Sequence, residues 1–189
     1  MRKPFQRYDL PIPDDDYKMK HVMERDKVNF ESDRIWLYVG ADYRNATYAK
    51  VGITMGDLRS RSYSSANPNY FLFCAFQCYP TTTKAELEGI ETRVLACLDD
   101  VFTYDNGQTK RARHFESQRL SECYYDIHFE DFFACLHDYL WDRESRHFMT
   151  DEYVDSNDIS VVYGGVISFL FNDRIPDNVR RRFLRMIVR

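Results

Sequence analysis

Two apolar runs, "RIWLYVG" and "TYAKVGIT", constrain this chain more than any other feature, because a polar turn joins them and both alternate with a period of two. Alternation puts Ile35, Leu37 and Val39 on one face of a first strand, and Ala49, Val51 and Ile53 on one face of a second. Those faces coincide if the runs pair as a hairpin. With "DYRNA" as the turn, the expected register sets Val39 against Ala49, Leu37 against Val51 and Ile35 against Ile53, and so Tyr38 against Lys50. The other face then carries Trp36, Tyr38, Gly40, Tyr48, Lys50 and Gly52. An amphipathic hairpin with a solvated tyrosine and lysine is the plainest meaning of this pattern. The flanking glycines also suit a backbone that another group approaches closely.

The rest of the chain is organised around that hairpin. Residues 1–33 read as a polar N-terminal arm with one helix, whose start is favoured by Asp14 to Asp16. After the hairpin, "GDLRSRSYSS" reads as a short helix closed by "NPN", and "YFLFCAFQCY" as a buried third strand. "TTTKAELEGIETRVLACLDDVF" opens with threonine caps and carries Leu87, Ile90, Val94, Cys97, Leu98 and Val101 at helical spacing. A basic loop, "YDNGQTKRARHFESQR", a short strand, "ECYYDI", and an amphipathic helix through Phe129, Phe132, Phe133, Leu136 and Leu140 complete a domain over 34–148. Residues 149–189 read as an appendage, β-rich in "ISVVYGGVISFLF" and ending in a basic amphipathic helix. The fold class expected is α+β.

Glu91 is the oddity of the long helix. At about 100° per residue it falls within about 60° of the centre of the apolar stripe, between Leu87, Val94 and Leu98. A carboxylate there needs a cation, a metal ion or hydrogen-bond donors. Arg59 and Arg61 follow the hairpin, but two positions apart on a helix they diverge, so one of them is expected to turn inward. A structural ion pair explains Glu91 as readily as chemistry does.

Composition excludes several classes. With 189 residues of which 44% are hydrophobic, the chain has enough apolar content for a packed core. No apolar run approaches the ~20 residues of a membrane helix and the N-terminus lacks the apolar core of a secretory signal, so a cytoplasmic protein with no membrane partner is expected. The five cysteines form no CxxC pair and read as core thiols. The net charge of −4 is polarised: the last sixteen residues hold six Arg and one Asp, or +5, which leaves −9 on everything before them. Phosphate-binding candidates are Lys110, Arg111, Arg113 and His114 in the basic loop, and Arg180, Arg181, Arg182 and Arg185 in the last helix. That helix also has an apolar side, suited to docking on the domain, to a homodimer or to a protein partner.

In order and spacing these parts resemble the GIY-YIG nuclease superfamily, in particular the phage branch whose second signature reads K-[IV]-G-x-T. "WLY" (Trp36 to Tyr38) stands at the first signature and "KVG" (Lys50 to Gly52) at the second. "DLRSR" matches the helix arginine at Arg61, "GIETRVL" the helix glutamate at Glu91, and "RLSECYY" (Arg119 to Tyr125) the family's R-x-S-E-W-F segment. The similarity spans residues 34 to 142. Two positions depart from the pattern: Trp36 replaces the first-signature glycine and Lys50 the second-signature tyrosine, with Tyr48 on the same face able to take over part of the lost chemistry.

The resemblance implies a central three-stranded antiparallel sheet flanked by helices and a metal-dependent DNA endonuclease in a bacterial or phage-infected cell. Glu91 would hold Mg²⁺ or Mn²⁺, Arg61 would contact the scissile phosphate, and Tyr38 would activate water, with Lys50 and Tyr48 as further catalytic candidates. Arg59, Lys110, Arg111, Arg113, His114 and Arg119 would contact DNA. A tyrosine brought from its usual pKa of ~10 to about 7 needs roughly 4 kcal/mol, which one cation at about 4 Å supplies at an effective dielectric near 20. Lys50 opposite Tyr38 is expected to be that cation. A catalytically inactive nucleic-acid-binding or regulatory protein on the same fold is the competing class, favoured by the two departures.

Overall fold

The computed structural model describes residues 7–12, 16–58, 61, 67–155 and 162–189. Helix α1 (Tyr17–Glu31) starts where expected, with Asp16 as its N-cap: its Oδ1 accepts from the amides of Lys18 and Met19, each at 3.0 Å. Asp14 and Asp15 lie outside the described residues.

Strands β1 (Trp36–Asp42) and β2 (Ala49–Thr54) form the antiparallel hairpin, and β3 (Tyr70–Gln77) pairs with the other edge of β1. The faces are those expected, but the register is not. Leu37 pairs with Ile53, Val39 with Val51 and Ala41 with Ala49, so Tyr38 lies opposite Gly52 and Lys50 opposite Gly40. Asp42 causes the shift. It stays in β1 by pairing with Tyr70, and its Oδ1 accepts from the amides of Arg44 and Asn45 at 2.7 and 3.0 Å, which moves the turn toward the C-terminus. A shift of two residues preserves which side each residue faces.

The sheet is wider than the three strands expected. Its order is β4-β5-β2-β1-β3-β8, with β4 (Arg111–Arg113), β5 (Leu120–Tyr124) and β8 (Phe169–Phe171), while β6 (Thr150–Asp155) and β7 (Val162–Ile167) form a separate pair. The segment read as a basic loop is therefore partly the β4–β5 hairpin, anchored by Arg111, whose Nη1 meets Asp99 Oδ2 at 2.9 Å and whose Nε donates to the carbonyl of Ser121. The C-terminal segment joins the main body, since β8 pairs with β3.

Helix α2 (Lys84–Val101) opens with a capping box, Thr83 N donating to Glu86 Oε2 at 2.8 Å and Glu86 N to Thr83 Oγ1 at 3.3 Å. It buries Leu87, Ile90, Val94, Leu95 and Leu98, whereas Val101 is exposed. Helix α3 (Phe129–Tyr139) continues through a π turn, Leu140–Glu144. Helix α4 (Asp177–Ile187) buries Phe183, Leu184 and Ile187.

The core gathers around Phe73, which makes edge-on contacts with Phe129, Phe133, Phe171 and Phe183 at centroid distances of 4.9, 5.7, 5.6 and 4.8 Å. A bulge puts it there. Val39 pairs with Cys74 and Gly40 with Leu72, so Phe73 is the extra residue of β3, and both Phe73 and Cys74 join the main core while Leu72 and Ala75 face the other way. All five cysteines are free. No helix among the described residues is long and apolar enough to cross a membrane.

Candidate active site

The second face of the sheet is buried too, but by different chemistry. Trp36, Tyr38, Leu72 and Ala75 form a small apolar cluster, and Leu58 packs on it. Leu58 thereby anchors Arg61 beside this face, with Arg61 N donating to Leu58 O at 3.0 Å. Arg61 is half-buried there and its charge acts on both Tyr38 and Tyr70. Arg59 and most of the short helix expected around it lie outside the described residues.

The glycines of the hairpin are where tyrosine rings cross the backbone. A Cβ added at Gly52 would lie 2.5 Å from Cζ and Oη of Tyr38, and one at Gly40 would collide with the ring of Tyr70. Tyr38 starts on β1, opposite Gly52, so its ring lies over β2 with the hydroxyl above Gly52. The pairing of β2 with β5 covers only Ala49–Tyr124 and Lys50–Cys123, so this edge is open to other groups beside Gly52.

Charged groups meet at that edge. Helix α2 packs against β2 and presents Glu91, and β5 presents Glu122, whose Oε2 is 3.5 Å from Lys50 Nζ. Burial pushes the Glu91 carboxyl up to about 7; the charge of Glu122 pushes the same way, and Arg111 and Lys50 oppose it. Glu91 Oε1 is buried and has no hydrogen-bond partner among the described residues. Tyr38 is raised to about 12, first by burial, with Arg61 working against the shift and Glu122 and Glu91 adding to it. The phenolate expected from a facing lysine is thus absent near neutral pH: the register removes Lys50 from direct opposition, and desolvation outweighs the cation that does reach the ring.

Four of the five expected catalytic residues are therefore joined pairwise by charge: Arg61 and Glu91 act on Tyr38, and Lys50 acts on Glu91. Tyr48 stands beside them. Its hydroxyl is 3.2 Å from Cys123 Sγ and its ring meets Tyr125 edge-on at 5.2 Å, and burial drives its pKa well up. Among the expected DNA contacts, Lys110 and Arg111 are engaged within the protein: Lys110 Nζ donates to Asp126 O at 2.8 Å, and Arg111 binds Asp99. Arg113, His114 and Arg119 are exposed on the β4–β5 hairpin. In α4, Arg182 pairs with Glu130 at 2.7 Å and Arg180 donates to Asn172 O at 3.0 Å.

Glu122, Tyr70 and Cys123 belong to the cluster but were not among the expected catalytic residues. For Glu122 the match of "RLSECYY" to the family segment already pointed near the site; Tyr70 comes over Gly40 and Cys123 opposite Lys50 only through the strand pairing. No group of three or more His, Cys, Asp and Glu side chains is arranged for a metal ion among the described residues. Magnesium asks for less, taking one or two carboxylates and keeping several waters, and the unpartnered Oε1 of Glu91 beside Glu122 fits that demand. No family model, curated protein or solved structure matches this chain.

Proposed function

We propose that the protein is a metal-dependent endonuclease of GIY-YIG type that hydrolyses phosphodiester bonds in DNA. The observation that supports this reading is that Arg61 and Glu91, from two other segments, both act by their charge on the buried Tyr38, whose ring lies over Gly52, with the half-exposed Lys50–Glu122 ion pair on the same strand edge. Buried polar groups of mixed charge are costly to a fold, and their concentration at one place is a mark of function.

Glu91, with Glu122 beside it, would hold Mg²⁺ or Mn²⁺, and the ion when bound supplies a Lewis acid for the phosphate and a more acidic water. Tyr38 remains a phenol at neutral pH, so its role is to orient: the hydroxyl accepts from the attacking water or donates to a phosphate oxygen. Arg61 places a fixed positive charge where the phosphate oxygens gain negative charge in the transition state. Lys50, held by Glu122, offers a second cation and N–H donors to the same phosphate.

The test is nicking of supercoiled plasmid with Mg²⁺ or Mn²⁺ by wild type, Glu91→Ala and Arg61→Ala. Cutting by wild type and loss in both variants is the expected result. If all three leave several DNA forms intact, the fold serves binding or regulation instead. Equal cutting by all three would place the activity elsewhere.

A further inference from the structure

The β4–β5 hairpin ends in a feature that the cleavage chemistry does not use. Phe115 is 88% exposed at its tip, while the backbone around it is tightly held. His114 N donates to Arg119 O and Gln118 N to His114 O, each at 2.9 Å; Gln118 Nε2 donates to Phe115 O at 2.7 Å and Arg113 Nη1 to Gln118 O at 2.8 Å. These bonds hold Gln118 at a φ of 56°, a left-handed conformation that non-glycine residues seldom adopt. A single exposed apolar residue is ordinary. One fixed at the apex of a rigid hairpin, flanked by Arg113, His114 and Arg119, is a shaped feature.

The hairpin also points to the right place. Because β5 runs antiparallel to β2 with Cys123 opposite Lys50, residues preceding Cys123 lie toward the Gly52 end of β2, where Tyr38 brings its hydroxyl. Arg119 stands three positions before Glu122, roughly 10 Å of extended chain, or about three base-pair steps of a duplex. Arg113 and Arg119 outweigh Glu116, the one acidic side chain between them, so the tip is positive before His114 is counted.

We propose that this hairpin is a DNA wedge: Phe115 stacks into a base step beside the cleavage site and unstacks it, while Arg113, His114 and Arg119 grip the flanking phosphates. Apolar side chains inserted between bases open a step in this way, and cations on the backbone hold the distorted duplex. The inference rests on the nuclease reading for the nature of the partner, duplex DNA.

The experiment uses the full chain in EDTA, so that binding is read without cleavage, and short duplexes carrying 2-aminopurine at successive positions. Wild type should raise the emission at least threefold at one or two adjacent positions. Phe115→Ala should abolish the rise and weaken binding by about 10-fold by anisotropy, whereas Phe115→Trp should keep both. Binding without any rise, or a rise that survives Phe115→Ala, overturns the wedge and leaves the nuclease reading standing. A rise lost in Phe115→Ala, in a protein that cuts no DNA with Mg²⁺ or Mn²⁺, keeps the wedge and overturns the nuclease. Failure of wild type to bind duplex DNA in EDTA overturns the wedge, and nicking with Mg²⁺ or Mn²⁺ then decides the nuclease on its own.

Discussion

The two faces of the β1–β2 hairpin are buried to nearly the same degree and for opposite reasons. On one, Leu37, Val39, Ala49 and Val51 are fully buried against α2 and α3 with no polar side-chain atom among them. On the other, Tyr38, Tyr48 and, from β3, Tyr70 are buried at 4%, 5% and 8% exposure, each with a hydroxyl; Tyr38 and Tyr70 lie under the charge of Arg61 and, from the open edge of β2, of Glu122, and Tyr38 also under that of Glu91. The first face gains free energy from every atom it hides. The second gives some of it back, because its ionised form is desolvated, as the raised pKa of Tyr38 records. A hairpin built only for stability would carry apolar residues on both sides.

If that division is right, substitutions on the two faces separate activity from stability. Glu91→Ala and Arg61→Ala should lower the cleavage rate by about 10²–10³-fold, the scale expected for one group aimed at transition-state charge, and should leave the protein folded. Leu37→Ala should do the reverse, costing about 3 kcal/mol in chemical denaturation while cleavage by the fraction still folded is retained. A Glu91→Ala protein that loses stability as Leu37→Ala does would reduce Glu91 to a structural ion-pair member.

Gly52→Ala probes the border between the faces. The added Cβ would lie 2.5 Å from the tip of Tyr38, so the ring must move off β2. The cost expected is about 2 kcal/mol, as for overpacking elsewhere, with a fall in cleavage that Tyr38→Phe does not reproduce in stability. An unchanged melting curve and an unchanged rate would show that the phenol needs no exact seat over the glycine.

What was legible in the sequence, and what was not, follows the range of the interactions involved. The two faces could be read because alternation is local and survives a two-residue slip. The register could not, because it depends on Asp42 holding β1 against Tyr70, twenty-eight positions away. The run "YFLFCAFQCY" hid its two sides, since the bulge at Phe73 places consecutive residues in one core. Strands β4 and β8 have three residues each, too few for a periodic signal, and exist through their partners. Glu91 stood out as a charge within an apolar stripe. Tyr70 and Cys123 look like ordinary strand residues until β3 and β5 are placed beside the hairpin.

The smallest effect expected is also the most specific to the charged edge of β2. Glu91 has a carboxyl near 7 in the folded chain against an ordinary value of 4.5, so folding favours its protonated form. Below about pH 4.5 the group is protonated in both states and there is no penalty. As pH rises toward 7 the unfolded chain ionises first, stability falls, and above about 7 the full penalty remains. His137, in the main core, works the other way: burial holds it down to about 4, so it removes stability as pH falls below its ordinary 6.5. The difference between Glu91→Gln and wild type cancels that background. Measured by urea unfolding, the variant should gain about 1–2 kcal/mol on wild type between pH 5 and pH 8, with the gain levelling off above 7. Parallel profiles for the two proteins would mean that Glu91 reaches water, and that the edge of β2 carries no buried charge to be relieved by a metal ion.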